Sequence, residues 1–125
     1  MLNKLKFKVL GIKYFMATCG GQNCDSVCTT FGLKCASTGQ SFPRFSALEI
    51  FESLGITCKT NNYTDIYQYE DQPNYMADSP NGSEYWIGMC IGFKSIPSTI
   101  DCHTANNSYV RRLCPCYDPL GEYLI

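Results

Sequence analysis

Residues 107–116 read NSYVRRLCPC, and the two cysteines that flank Pro115 decide what kind of fold this chain can have. A Cys-Pro-Cys element cannot comfortably close on itself, because the resulting ring departs too far from normal disulfide geometry. Cys114 and Cys116 therefore each need a distant partner, a metal, or a redox role. A redox pair would be spaced C-x-x-C, which the chain lacks. A structural zinc site wants two close pairs two to four residues apart, often completed by histidine. Cys24 and Cys28 would serve as one pair, but Cys114 and Cys116 are too close for the other. The single histidine, His103, sits beside Cys102 rather than at ligand spacing. Disulfides are the reading that remains, and they place the chain in an oxidising compartment.

Working outward, nine cysteines in 125 residues are far above ordinary usage. The eight from Cys24 onward (Cys24, Cys28, Cys35, Cys58, Cys90, Cys102, Cys114 and Cys116) allow four bridges, whose pairing the sequence leaves open. Cys19 is left over, either unpaired or intermolecular. Asn62, Asn81 and Asn106 each begin an N-x-Ser/Thr acceptor, which agrees with a secretory route and glycoprotein character. A formal net charge of -1 gives no reason to expect nucleic acid. No apolar run is long enough for a membrane span.

The chain length fits one domain. Residues 1–18 read as an edge strand, since Leu5, Phe7 and Val9 alternate with Lys4, Lys6 and Lys8. The alternative is a poor signal or anchor segment, broken by Lys8 and Lys13. Residues 19–118 form the cysteine-rich module, and 119–125 a tail. Within the module, Asn23 caps a short helix that has Asp25 in its first turn and Gly32 as its stop. Its inward stripe comprises Cys24, Val27, Cys28 and Phe31. A second helix begins at Ser46, with Glu49 completing a capping box or with Pro43 starting it earlier, and ends at Gly55. Phe45, Leu48, Phe51 and Leu54 line its face. Residues 60–80 have no period and read as a long loop. Residues 84–93, EYWIGMCIGF, lean towards strand, and 101–116 are an extended close. The fold class is α+β: a small disulfide-rich module with two short helices and a few short antiparallel strands.

The framework C-x3-C-x6-C over Cys24–Cys35, then a helix, a lone cysteine, and the finish R-x-C-P-C with Asp118 two residues on, resembles a known pattern. It is similar to the cysteine-rich carboxyl-terminal segment of the N-acetylglucosaminyltransferase V family, and to modules in secreted and surface proteins of algae and other protists. The resemblance spans residues 24–118. It implies the eight-cysteine framework, a lumenal or extracellular setting, and no catalytic residue, because the nucleotide-sugar-using domain of those enzymes is too large for this chain.

Chemistry elsewhere is sparse. His103 with Asp101 or Ser108 is a triad fragment on paper, but a surface histidine is the plainer reading. Asp65, Glu70, Asp71, Asp78 and Glu84 lack the order of a calcium loop and read as a solvated acidic surface. Arg111 and Arg112 read as ordinary surface pairs. No catalytic, cofactor or metal residue is assigned, and the chain is read as a non-enzyme. The possible interaction surface is the tyrosine set Tyr63, Tyr67, Tyr69 and Tyr75; the plainer alternative has loop tyrosines packing locally and Tyr85 and Trp86 in the core. The functional expectation is a secreted structural or adhesive building block, filamentous in one form, with protein partners and self-assembly through the amino-terminal strand. Two alternatives stand beside it: a glycan-binding module or detached glycosyltransferase appendage, and an accessory subunit of a lumenal organellar complex.

Overall fold

The structure is a computed structural model describing residues 11–42, 47–59, 63–64, 70–79, 84–105 and 107–120. The Leu5/Phe7/Val9 alternation, Pro43, Phe45 and Ser46 of the expected second-helix start, Asp65, Tyr67, Tyr69, and the acceptors Asn62, Asn81 and Asn106 lie outside the described residues.

The architecture is α+β. In chain order it comprises β1 (Lys13–Met16), α1 (Cys24–Thr30), β2 (Lys34–Cys35), a 3-10 turn (Gly39–Ser41), α2 (Ala47–Ser53), β3 (Tyr63–Thr64), β4 (Asn74–Met76), β5 (Cys90–Ile91) and β6 (Val110–Tyr117). The strand order is β1-β6-β4-β5-β3, with β2 also on β6. All pairings are antiparallel except β3 with β5, which is parallel.

The stretch that carries Cys-Pro-Cys is the organising strand. β1 runs along it from Lys13 opposite Cys116 to Met16 opposite Leu113, and Ala17 and Gly21 continue the contact by donating to the carbonyls of Arg112 and Val110. The other side of β6 is shared. β4 occupies Val110–Arg112, β2 takes Cys116 and Tyr117, and Ala36 N–H donates to the Pro115 carbonyl. Proline lacks the N–H a central strand normally needs, and here it falls where one neighbour gives way to the next. Residues alternate across the strand. Leu113 enters the main core with Ile12, Tyr14, Ala36, Phe42, Ile50 and Phe51, while Cys114 and Cys116 enter a second core with Ala17, Cys24, Val27 and Cys28 beneath α1. Both faces are covered, so β6 is buried over most of its length.

Both helices stop as their glycines predict. Gly32 and Gly55 have φ of 73° and 81°. In each case the glycine and the residue after it close back on the last turn: Gly32 to Thr29 and Leu33 to Cys28, Gly55 to Glu52 and Ile56 to Phe51. This is the paired left-handed cap of a Schellman ending. Asn23 caps α1 by accepting from Ser26 N–H.

Four expectations need correction. Phe31 is 51% exposed, because it lies past the last helical turn and stacks on Phe15 at 4.1 Å instead of entering the core. The buried face of α2 is Ile50 and Phe51, whereas Leu54 is 38% exposed beyond the helix end. Residues 60–80 contain β3 and β4, so they are not one loop; the strands are too short to show a period. Of residues 84–93 only Cys90 and Ile91 are strand, because the turn at 84–88 presents Tyr85 outward, 59% exposed and edge-on to Trp86.

β1 lies at the edge of the sheet and is a different stretch from the Leu5–Val9 alternation on which the amino-terminal strand was expected. It is already paired to the far end of this same chain, and Ile12, Tyr14 and Ala17 belong to the cores. Tyr14 also donates its hydroxyl to the Ser41 carbonyl, and burial raises its pKa far above the usual 10.0. Tyr14→Phe is expected to lower stability by about 1 kcal/mol, the net worth of one buried hydrogen bond. Urea denaturation measures this directly, and an unchanged midpoint would contradict it.

Candidate functional site

Two features stand out: the bridge framework and a cleft beside it. The bridges pair Cys24–Cys114, Cys28–Cys116, Cys35–Cys102 and Cys58–Cys90. Cys58–Cys90 lies inside the loop of Cys35–Cys102, which lies inside the two interlaced bridges from α1 to β6. One turn of helix α1 presents Cys24 and Cys28 on the same side, while the strand period presents Cys114 and Cys116 on one face. The i, i+4 spacing therefore meets an i, i+2 spacing, and Cys-Pro-Cys serves as a double clamp on α1. Cys19 is exposed and free.

The cleft has a volume of about 450 Å³. Its lining combines the polar Glu70, Gln72, Asp101 and His103 with the apolar Phe93, Pro97 and Ile100, and includes Cys102. Phe93 is held edge-on by Phe42, with ring centroids 5.6 Å apart. The polar lining is organised by the turn at 101–104. Asp101 Oδ1 accepts from the backbone N–H groups of His103 (2.9 Å) and Thr104 (3.0 Å). The Thr104 hydroxyl donates to Glu70 Oε2 at 3.0 Å, and its carbonyl accepts from Arg112 Nη1 at 3.2 Å.

Arg112 lies behind this turn and is 1% exposed, which overturns its reading as a surface residue. It shares the strand face of Cys114 and Cys116, so β6 carries it inward. Its Nε and Nη2 meet no hydrogen-bond partner among the described residues. Burial lowers its pKa, and the nearby charges of Asp71, Asp101 and Asp25 oppose that shift. Arg111, its neighbour on the opposite face, donates to the Ala17 carbonyl at 2.6 Å and lies over the Tyr75 ring at 5.8 Å. Tyr75 is thus half-buried in the middle of the sheet, between β5 and β6, and not on a free loop.

The carboxylates split. Glu70, Asp71 and Asp101 gather around the 101–104 turn, whereas Asp78 accepts the Ser79 N–H and Glu84 sits in the separate 84–88 turn. His103 Nδ1 contacts the Asp25 carboxylate of α1, while Asp101 is engaged by the backbone of its own turn, so the triad fragment is not assembled. Ligating atoms of Asp25, Cys35 and Cys102 lie within 4.8 Å of one another, but the two sulfurs are bonded to each other and are not available as thiolates. The sequence reading missed Phe93, Gln72, Pro97 and Ile100 as cleft residues, because nothing local marks residues brought together by a bridge.

The two aspartates carry opposite pH signatures. Hydrogen bonding, from Thr104 foremost, lowers the Asp101 pKa below 3.8, so its stabilisation is complete above the unfolded value and is lost as pH falls through the folded one. Burial foremost raises the Asp71 pKa, so its contribution is largest when protonated and is lost as pH rises through the folded value. Asp101→Asn is expected to flatten the acid limb of a stability-versus-pH curve below about pH 4. An acid limb identical to that of the parent chain would refute this assignment.

Comparison with models of known protein families and with curated proteins finds no match for the chain. The resemblance to the transferase appendage therefore rests on cysteine spacing and the R-x-C-P-C finish alone.

Proposed function

We propose that this chain is a secreted, non-catalytic structural or adhesive module, a building block of an extracellular or lumenal assembly. The observation that carries the reading is the nested four-bridge framework closing on β6, which holds a small core rigid where reducing systems are absent. The exposed thiol of Cys19 offers a covalent link to another chain. No described helix is long and apolar enough to cross a membrane. The cleft, whose lining includes Phe93 together with Gln72, Glu70 and Asp101, favours a second reading as a glycan-binding module, since sugars use a ring face together with polar groups. A detached transferase appendage is the companion form of that reading, which a catalytic domain elsewhere in the gene product would support.

Intact-mass and peptide mapping of native material, before and after reduction and deglycosylation, tests the first reading. The expected result is a gain of about eight protons on reduction, with sugar on at least one of Asn62, Asn81 and Asn106. A dimer linked through Cys19 would support the assembly subunit. Bridges without sugar would favour the lumenal accessory subunit, and free thiols throughout would end the proposal. Specific retention on a glycan array would move the conclusion to the second reading.

A further inference from the structure

We infer that the cleft beside Cys102 is a docking site for a basic side chain, arginine above lysine, presented by a protein partner. This deepens the reading of the chain as an assembly module and rests on it. Glu70 and Asp101 supply two carboxylates to the lining, and no lysine or arginine lines the cleft among the described residues. The buried Arg112 lies behind the 101–104 turn, where it donates to the Thr104 carbonyl, and its charge is shared among Asp71, Asp101 and Asp25, so it offsets part of the Asp101 charge and leaves that of Glu70 to the cleft. Both backbone bonds of the turn fall on Asp101 Oδ1, and the Thr104 side chain hydrogen-bonds Asp101 and engages Glu70 through Oε2, which leaves Glu70 Oε1 for a guest among the described residues. The lining also includes Phe93, whose ring is packed edge-on against Phe42, with Pro97 and Ile100. A guanidinium fits this lining because it is a planar fork of donors that also lies flat on aromatic rings. The cleft volume of about 450 Å³ is ample for one such side chain and the backbone that carries it.

The test uses the intact, oxidised chain, titrated with Nα-acetyl-arginine amide and with its neutral citrulline counterpart, followed by amide NMR shifts. The arginine probe is expected to shift amides at 70–72 and 99–103, with the citrulline probe about tenfold weaker. Glu70→Gln and Asp101→Asn are each expected to weaken the arginine probe severalfold; asparagine still accepts the turn hydrogen bonds, so the cleft keeps its shape. Equal binding of the two probes, shifts confined to other regions, or an oligosaccharide shifting these amides while arginine is silent would each overturn the inference. Because the titration uses bridged protein in isolation, its failure leaves the mass-mapping result standing. Free thiols throughout would end the assembly reading, and missing glycans would move it to the lumenal accessory subunit, in either case on a result separate from the titration.

Discussion

Replacing all four of Cys24, Cys28, Cys114 and Cys116 with alanine is expected to cost about 6 kcal/mol, whereas removing either bridge alone costs about 2.5 kcal/mol. The sequence separations of 90 and 88 residues overstate the effective loops, because the bridges are not independent. While Cys28–Cys116 stands, Cys24–Cys114 closes a ring of only about eight residues, counted along α1 and Cys-Pro-Cys. Without either, the next bridge inward is Cys35–Cys102, and the ring that has been lost contains about 23 residues. A loss of about 6 kcal/mol is comparable to the whole stability of a small domain, so the four-alanine variant should be largely unfolded. Guanidinium denaturation of each single-bridge variant and of the double-bridge variant, with the inner bridges verified intact, measures the difference. Equal midpoints for the single and double removals would show that the clamp on α1 is not what the geometry implies.

The second large effect belongs to Arg112. Arg112→Ala is expected to lower stability by about 3 to 5 kcal/mol, because it empties a fully buried volume and leaves the half-buried Asp71 without its nearest positive charge. Arg112→Met fills most of the volume and isolates the electrostatic part. Adding Asp71→Asn to Arg112→Met should recover a substantial share of the loss, because a neutral amide needs no counter-charge. Thermal and urea unfolding of the three variants supplies the comparison. An Arg112→Met variant as stable as the parent chain would mean that the buried guanidinium contributes nothing to this fold.

Much of the framework is legible from residues alone. The impossibility of a Cys114–Cys116 bond, the even set of eight from Cys24, Asn23 as the cap of α1, and glycines 32 and 55 as helix stops all follow from local chemistry, and the structure has each of them. These are short-range constraints, in which one residue type meets one backbone requirement. The α+β class follows from the same signals.

Which cysteine meets which was not legible, because pairing depends on which elements share a face of β6. The two arginines make the same point. Arg111 and Arg112 are chemically identical neighbours, and strand alternation alone puts them on opposite faces. Only the presence of α1 over one face and of the Tyr75 ring beside the other makes Arg112 a buried charge and leaves Arg111 half-buried. Tyr75 changed meaning for the same reason, from a loop ring to a central-strand residue. The sequence by itself determined the bridges' number, the helix ends and the class of fold. The tertiary structure alone decided the pairing, the burial of Arg112 and the existence of the cleft, because each depends on contacts between residues far apart in the chain and no local pattern encodes such contacts.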